Sequence, residues 1–442
     1  MSEPATKYTP RRVAAWVGVY MIAAALPLGL ALSGPLPAPR PYLVEFGVGL
    51  GFIGISILAL QFVTSGRFAR IAPVFGADVV LQYHRQAGIV AFALVLAHPA
   101  VLILSDPDYL AFFDPRVNLL RAIALIAVIP MLMLLLFTSL WRQRSGLAYE
   151  WWRAVHGVLS LGVVFIGMVH GIQVGWYLDG LVTQGLWAGA LVGAMYLVIH
   201  SRVVRPWLMK KRPYQVVEVR RELDDVHTLR IEAVDHEPMR FTAGQFAWIT
   251  VGESPYSFQQ HPFSFSSSAL DTTLSFTAKA IGDFTSTWDQ ISPGDQVFLE
   301  GPFGGFTLDD AAEGAVFIMG GIGITPAMSI LSTMDETGDE RSALLFYGNP
   351  TCEEMVFREE IDELSQRMNL SVIHVIEDPP EGWSGASGYI DKDLLEDSLS
   401  TEQRRFQFFI CGPEPMMDAA ETGLRDLGVP WTRIMTERFQ IV

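Results

Sequence analysis

Six apolar runs fill nearly the whole first half of the chain: Val13 to Leu32, Leu43 to Val63, Val79 to Leu104, Leu119 to Trp141, Ala154 to Trp176 and Leu181 to Val204. Each reaches the roughly 20 residues a helix needs to cross the hydrocarbon core of a bilayer. In that core the backbone amides and carbonyls must be paired within their own segment, which leaves α-helix as the solution for a single span. The sequence therefore predicts a bundle of six transmembrane helices. Arg11 and Arg12 ahead of the first run also fit a cleaved signal peptide, but the run is long for one and five more follow.

Charge divides the 442 residues in two. Residues 1–212 carry 17 Lys+Arg against 8 Asp+Glu, and residues 213–442 carry 14 against 39. The acidic half offers no basic stripe for phosphate backbones, which excludes nucleic acid as a partner and fits a cytosol-facing module. In the membrane half, Lys7, Arg11, Arg12, Arg67, Arg70, Arg142, Arg144, Arg202, Arg205, Lys210, Lys211 and Arg212 fall on one side of the six spans. The other side holds Asp106, Asp108, Asp114 and Asp179 with only Arg40 and Arg116. The positive-inside rule then predicts a multi-pass protein of the inner (plasma) membrane with both termini cytoplasmic. Only Cys352 and Cys411 are present, too few for a disulfide framework or an attached [2Fe–2S] cluster.

Intramembrane histidines are the next constraint. His84 and His98 lie fourteen residues apart on the third run, and His156 and His170 repeat that spacing on the fifth. Fourteen helical steps advance about 21 Å and return to within roughly 40° of the starting direction. Each pair thus shares one helix face at two depths. The third and fifth spans run in the same direction, so His84 is expected level with His156, and His98 with His170. Two facing neutral imidazoles are what a b-type haem needs as axial ligands, which makes these four residues candidate iron ligands for two haems. Hydrogen bonding between helices is the ordinary role of a single such histidine, and His200, which lacks a partner at this spacing, reads as interfacial. Arg85 and Arg153 lie beside the inner level and are candidates for haem propionates, although the positive-inside rule also explains them. Arg116 and Arg121 lie at the outer end, where they suit an outer propionate or an anionic acceptor. Phe92 and Phe165, midway between the levels, read as lipid-facing or core aromatics.

The pattern changes after Arg212. Short alternating runs between Tyr214 and Leu308, such as "VHTLRIEAV" and "LSFTAKAI", are broken by Gly, Pro and Asp turn signals and predict a small antiparallel β-barrel. Beyond Gly314, the runs "AVFIMGG", "ALLFYGN", "LSVIHVI" and "FQFFICG" read as buried strands, each followed by a helical stretch, as in a doubly wound nucleotide-binding fold. "GGIGITP" opens a helix straight after one such strand. Gly320, Gly321 and Gly323 there let backbone amides approach a pyrophosphate, and Thr325-Pro326 suits a first helical turn.

"HPFSFSSS", His261 to Ser268, resembles the flavin-binding strand of the ferredoxin reductase family, in the form found in ferric reductases and NADPH oxidases. The resemblance implies that Phe263 flanks the isoalloxazine and that His261, Ser264 and Ser267 hydrogen-bond flavin or phosphate, with Pro262 also in contact. "GDFT" sits where that family opens a helix onto the flavin pyrophosphate, which brings in Gly282 and Thr285. "CGPEPMM" matches the segment beside the nicotinamide, with Cys411 as a catalytic candidate and Gly412 and Pro413 in the binding loop. Phe439, in "ERF", stands where the family keeps an aromatic ring against the flavin and is the second catalytic candidate. No Arg stands at 347–351, so the choice between NADH and NADPH stays open.

Taken over nearly the whole chain, the order resembles the ferric reductase / NADPH oxidase superfamily. It implies a dihaem transmembrane domain at 1–212, an FAD-binding barrel at 213–310 and an NAD(P)H-binding domain at 311–442. The implied activity passes electrons from cytosolic NAD(P)H through FAD and two b haems to an outer acceptor: dioxygen, a ferric or cupric chelate, or a periplasmic partner. A metal or proton transporter with a nucleotide-sensing domain is the alternative from another class.

Overall fold

The computed structural model describes residues 10–33, 38–64, 77–146, 148–252, 254–257 and 259–438. The chain forms two compact units, one of Arg11–Phe68 with Val80–Val204 and the other carrying Arg205–Val442.

The first unit holds α1 (Pro10–Ser33), α2 (Tyr42–Thr64), α3 (Ala77–Ser105), α4 (Leu119–Leu140), the single turn α5 (Arg142–Ser145), α6 (Tyr149–Val174) and α7 (Leu181–Ile199). Six of these helices are long and apolar enough to cross a membrane, as the hydropathy pattern predicts. Lipid gives no hydrophobic drive for one helix to meet another, so close approach depends on small residues. The α2–α3 seam meets that requirement. A Cβ on Gly47, Gly51 or Gly54 would stand 3.2, 2.8 and 2.8 Å from Leu102, His98 and Val95 respectively. A second cluster packs Ile55, Val164, Met168 and Trp187, with the Trp187 indole donating to the Met168 carbonyl at 2.9 Å. At the end predicted to be outer, Arg40 forks onto Glu45 at 3.0 Å and lies over the Trp176 ring. The Tyr177 hydroxyl donates to the same carboxylate, which ties the approach to α2 to the loop after α6. His200 begins a single π turn, His200–Val204, that follows α7.

The second unit opens with α8 (Arg205–Lys210) and continues as β1 (Tyr214–Leu223), β2 (Val226–Ala233), β3 (Phe246–Val251), β4 (His261–Ser264), β5 (Leu274–Lys279) and β6 (Gln296–Phe303). These strands form an antiparallel sheet in the order β4-β3-β6-β1-β2-β5. Phe265, directly after β4, bridges to Phe276 of β5, so the two edges meet and the sheet closes into the predicted barrel. Inward alternation fills it with Val216, Leu229, Ile231, Phe265, Phe276 and the fully buried Trp288.

The remainder is a parallel sheet in the order β10-β9-β8-β7-β11-β12, formed by β7 (Gly314–Gly320), β8 (Ser342–Asn349), β9 (Leu370–Ile376), β10 (Ala386–Ser387), β11 (Gln407–Cys411) and β12 (Ile434–Thr436). The helices α9 (Thr325–Thr337), α10 (Arg358–Arg367), α11 (Lys392–Ser398) and α12 (Glu414–Asp426) accompany it, with a separate hydrophobic core on each face of the sheet. The strand order reverses at β7, which has β8 on one side and β11 on the other. In open α/β sheets such a switch point creates a crevice beyond the carboxyl ends of the strands.

Candidate functional site

The four intramembrane histidines meet as the spacing predicts. The His84 and His156 rings have centroids 6.3 Å apart, and those of His98 and His170 lie 6.5 Å apart. An imidazole nitrogen sits about 1.1 Å from its ring centroid and about 2.0 Å from a bound metal, so two axial rings sharing one centre stand roughly 6 to 6.5 Å apart. Both pairs have that spacing. Among the described residues no three His, Cys, Asp or Glu side chains converge.

Three of the four Nδ1 atoms have partners: Thr64 Oγ1 for His84 at 3.2 Å, Ser139 Oγ for His156 at 3.2 Å, and the Gly47 carbonyl for His98 at 2.8 Å. The Nδ1 of His170 is buried without a hydrogen-bond partner among the described residues. Sequence reasoning missed Thr64, Ser139 and Gly47, because hydroxyls and glycines are common in membrane helices and their pairing depends on helix rotation.

The arginines separate by geometry. Arg116 is 91% exposed and folds back onto Asp114 at 2.8 Å, so its charge is already engaged away from the bundle. Arg121 lies over the Phe112 ring at 4.3 Å, the Phe112 edge meets the His170 ring at 5.9 Å, and the Arg121 Nε is buried without a hydrogen-bond partner. Arg121 thus lies, by way of Phe112, beside the His98/His170 pair. Arg85 is exposed next to His84, and Arg153, one turn ahead of His156 on α6, lies 5.9 Å from the Tyr149 ring. Phe165 is 48% exposed.

In the second unit, β4 pairs with β3 so that Phe263 stands opposite Ala247 and Ser264 opposite Phe246. His261 and Phe263 project to one side, with Pro262 and Ser264 on the other. The Phe284 ring stacks on His261 at 4.5 Å, and Phe263 packs against Trp288 at 4.8 Å. The Ser264 hydroxyl is buried and has no hydrogen-bond partner among the described residues. Ser267 instead accepts from the Ser275 amide at 3.2 Å. The GDFT segment leads into a 3₁₀ helix, Thr285–Gln290, and the Thr285 hydroxyl serves its own turn by accepting from the Ile281 and Gly282 amides. Glu300 of β6 receives Arg205 at 2.8 Å and Gln260 at 3.2 Å, an ion pair that ties α8 to the residue preceding β4.

At the switch point, Met319 of β7 is in register with Cys411 of β11, which places the loops after Gly320 and Cys411 side by side. Their backbones touch: a Cβ on Gly323 would lie 2.5 Å from the Cys411 carbonyl oxygen, and one on Gly320 would lie 2.8 Å from Pro413. Gly321 adopts φ +51, the left-handed conformation that glycine takes at no steric cost. Thr325 and the following Pro326 open α9, as expected of a first turn. Gly412 and Pro413 lead into α12 on the other side of the crevice.

Cys411 is buried, and burial, with the Glu437 carboxylate adding to it, pushes its thiol pKa well up. Glu437 follows β12, is 7% exposed and donates its backbone amide to Ile410. A Cβ on Gly304, just past β6 of the barrel, would come within 3.3 Å of the same carboxylate. One buried acid therefore stands where barrel and parallel sheet meet. Sequence reasoning missed it because its burial depends on β12 pairing with β11. Arg438 anchors this end to Asp418 at 2.6 Å, and Phe439 lies outside the described residues.

Three family models match: a ferric reductase like transmembrane component over residues 50–167, an FAD-binding domain over 209–306 and an oxidoreductase NAD-binding domain over 317–422. The chain is 28% identical to the reductase component of propane 2-monooxygenase from Mycolicibacterium goodii, over 51% of this chain and 66% of that one. It is 29% identical to NADH-cytochrome b5 reductase 1 from Cryptococcus neoformans var. neoformans serotype D, over 35% of this chain and 57% of the relative. The chain thus spans only 57% to 66% of the length of these relatives. The crystal structure of flavohemoglobin from Malassezia yamatoensis, with bound FAD and heme, aligns with a TM-score of 0.50 at 17% identity over 90% of this chain and 99% of that one, a likeness of fold alone. In their order, the transmembrane, FAD-binding and NAD-binding parts of this chain match the ferric reductase / NADPH oxidase superfamily, a multi-pass membrane arrangement with a ferredoxin-reductase-type dehydrogenase half.

Proposed function

We propose that the chain carries electrons from cytosolic NAD(P)H through FAD and two b-type haems to an acceptor on the outer face of the plasma membrane, either dioxygen or a ferric or cupric chelate. The observation that carries this reading is the pair of histidine couples at 6.3 and 6.5 Å, stacked at two levels of one bundle. When bound, the flavin supplies the conversion of a two-electron hydride donor into single electrons, and the haems supply one-electron carriers inside the lipid.

The residues divide the work of binding and insulation. His84 and His156 hold the inner centre, and His98 and His170 hold the outer one. Gly320, Gly321 and Gly323 present backbone amides to the dinucleotide pyrophosphate, with Gly412 and Pro413 shaping the opposite wall. Phe263 and the unpartnered Ser264 hydroxyl serve the flavin, and the buried thiol of Cys411 stays protonated beside the nicotinamide site. Arg121, beside His170, favours an acceptor that is anionic, such as a carboxylate-bearing metal chelate. The distribution of Lys and Arg among the loops supports cytoplasmic termini.

The test is anaerobic addition of NADH or NADPH to the purified protein. The reading expects reduced b-type bands to appear, and to be reoxidised when oxygen, ferric citrate or a quinone is added singly. Absence of haem bands would favour the transporter alternative. Reduction without reoxidation by any small acceptor would favour an electron-donating subunit for a periplasmic enzyme.

A further inference from the structure

We propose that Thr64 and Ser139, on helices that carry no iron-ligand candidate, are positioning residues for the inner histidine pair. Their oxygens accept the Nδ1–H of His84 and His156, which sets each ring's tautomer and angle and leaves both Nε2 lone pairs for one shared centre. The inference rests on the dihaem reading above.

The direction of the two hydrogen bonds follows from counting protons. A hydroxyl has one proton to donate and two lone pairs to accept with. The Thr64 hydroxyl donates within its own turn, to the Gln61 carbonyl at 3.0 Å or the Gln61 side-chain oxygen at 3.2 Å. The Ser139 hydroxyl donates to the Leu135 carbonyl at 2.6 Å. Both protons are thus committed to the helix, and each oxygen meets its imidazole at 3.2 Å with a lone pair. The helix bonds, at 3.0 and 2.6 Å, are shorter than the 3.2 Å contacts to the rings, which favours the ring nitrogen as donor. A neutral imidazole protonated at Nδ1 has its basic pair on Nε2, so the partner of one nitrogen decides which nitrogen binds metal.

The outer level is built differently. His98 meets the Gly47 carbonyl, which can only accept, and His170 Nδ1 has no hydrogen-bond partner among the described residues. Removing a hydroxyl should therefore disturb the inner centre alone and leave the outer one as an internal reference. A hydrogen bond accepted from Nδ1–H makes the ring a stronger donor to iron and favours the ferric state. Its loss should raise the midpoint potential of one haem.

The experiment is a potentiometric titration of the full-length protein and its Thr64→Val, Ser139→Ala, Thr64→Ser and Ser139→Thr variants, with haem per FAD counted in each. The expected result is a 10–100-fold weaker hold on one of the two haems in the Val and Ala variants. The same haem should shift upward in potential, by about 59 mV for each tenfold change in the ferric-to-ferrous preference. The Ser and Thr variants, which keep a hydroxyl, should restore both readouts. Two haems moving together, neither moving, or no recovery in the conservative variants would overturn the proposal while leaving the dihaem reading intact. A wild-type protein without haem would instead overturn the functional reading, and this inference with it.

Discussion

Gly51→Ala tests how closely the outer pair is held. The Cβ it adds would stand 2.8 Å from His98 Nδ1 and 3.1 Å from both Cγ and Cε1. Restoring ordinary contact needs a retreat of about 0.6 Å or more. The backbone of α2 cannot supply it easily, since Gly47 and Gly54 are pressed just as closely against α3. The ring must move instead, which stretches its 2.8 Å bond to the Gly47 carbonyl and alters the 6.5 Å separation from His170. Metal–ligand distances tolerate only about 0.2 Å. Overpacking of this kind costs about 1 to 3 kcal/mol, which under the proposed dihaem arrangement lowers the pair's affinity for a metal centre about fivefold to 140-fold. The assay is haem per FAD in purified protein, with Gly49→Ala as the control, because a Cβ on Gly49 meets nothing within 4 Å. Loss confined to one haem in Gly51→Ala, with Gly49→Ala unaffected, is the expected result. Full occupancy and an unchanged spectrum in Gly51→Ala would refute the idea that glycine is required there to seat His98.

Other expectations follow from the same contacts. The raised pKa of Cys411 keeps the thiol protonated and slow to alkylate at pH 8, so mass spectrometry after brief iodoacetamide treatment should find Cys352 modified first; Glu437→Gln, by removing the nearby negative charge, should move Cys411 labelling to lower pH. Asp339 is held below the usual carboxylate range by the Arg341 guanidinium, with burial partly opposing it. A lowered folded pKa stabilises the fold above the unfolded value near about 3.9 and is lost as pH falls below it. Asp339→Asn should therefore lower stability by about 1 kcal/mol at neutral pH, and thermal melts of the two proteins should converge as the pH falls through the lowered folded pKa of Asp339. Arg121→Gln should weaken turnover with anionic ferric chelates more than with oxygen, whereas Arg116→Gln, whose side chain already pairs with Asp114, should change neither.

What could be read in advance was what depends on period and local chemistry. Hydropathy marked the six spans, and the fourteen-residue interval placed His84 level with His156 and His98 level with His170, because helix geometry alone fixes rise and rotation. Alternation and turn residues marked the barrel strands, and the glycines marked the close-packed loop after β7 at the switch point. What could not be read depended on tertiary neighbours. Thr64 and Ser139 acquire meaning only once α2 and α4 are rotated against the histidine-bearing helices. Glu437 becomes a buried acid only through β12 pairing with β11, a three-residue strand with no strong signal of its own. The GDFT segment carried a helix-start pattern, yet its helix is a six-residue 3₁₀ helix in which the Thr285 hydroxyl caps its own turn. Arg116 and Arg121 looked equivalent in sequence; an adjacent Asp114 claims the first, and Phe112 positions the second against His170.

The most direct test of the account is the haem content of the purified chain, measured as pyridine haemochromogen per FAD together with low-temperature electron paramagnetic resonance of the oxidised protein. Two low-spin haems per flavin are expected in the wild type. One is expected in His98→Leu, which should keep flavin reduction by nicotinamide intact. A wild-type protein without haem, or a His98→Leu variant that keeps both, would contradict the dihaem reading.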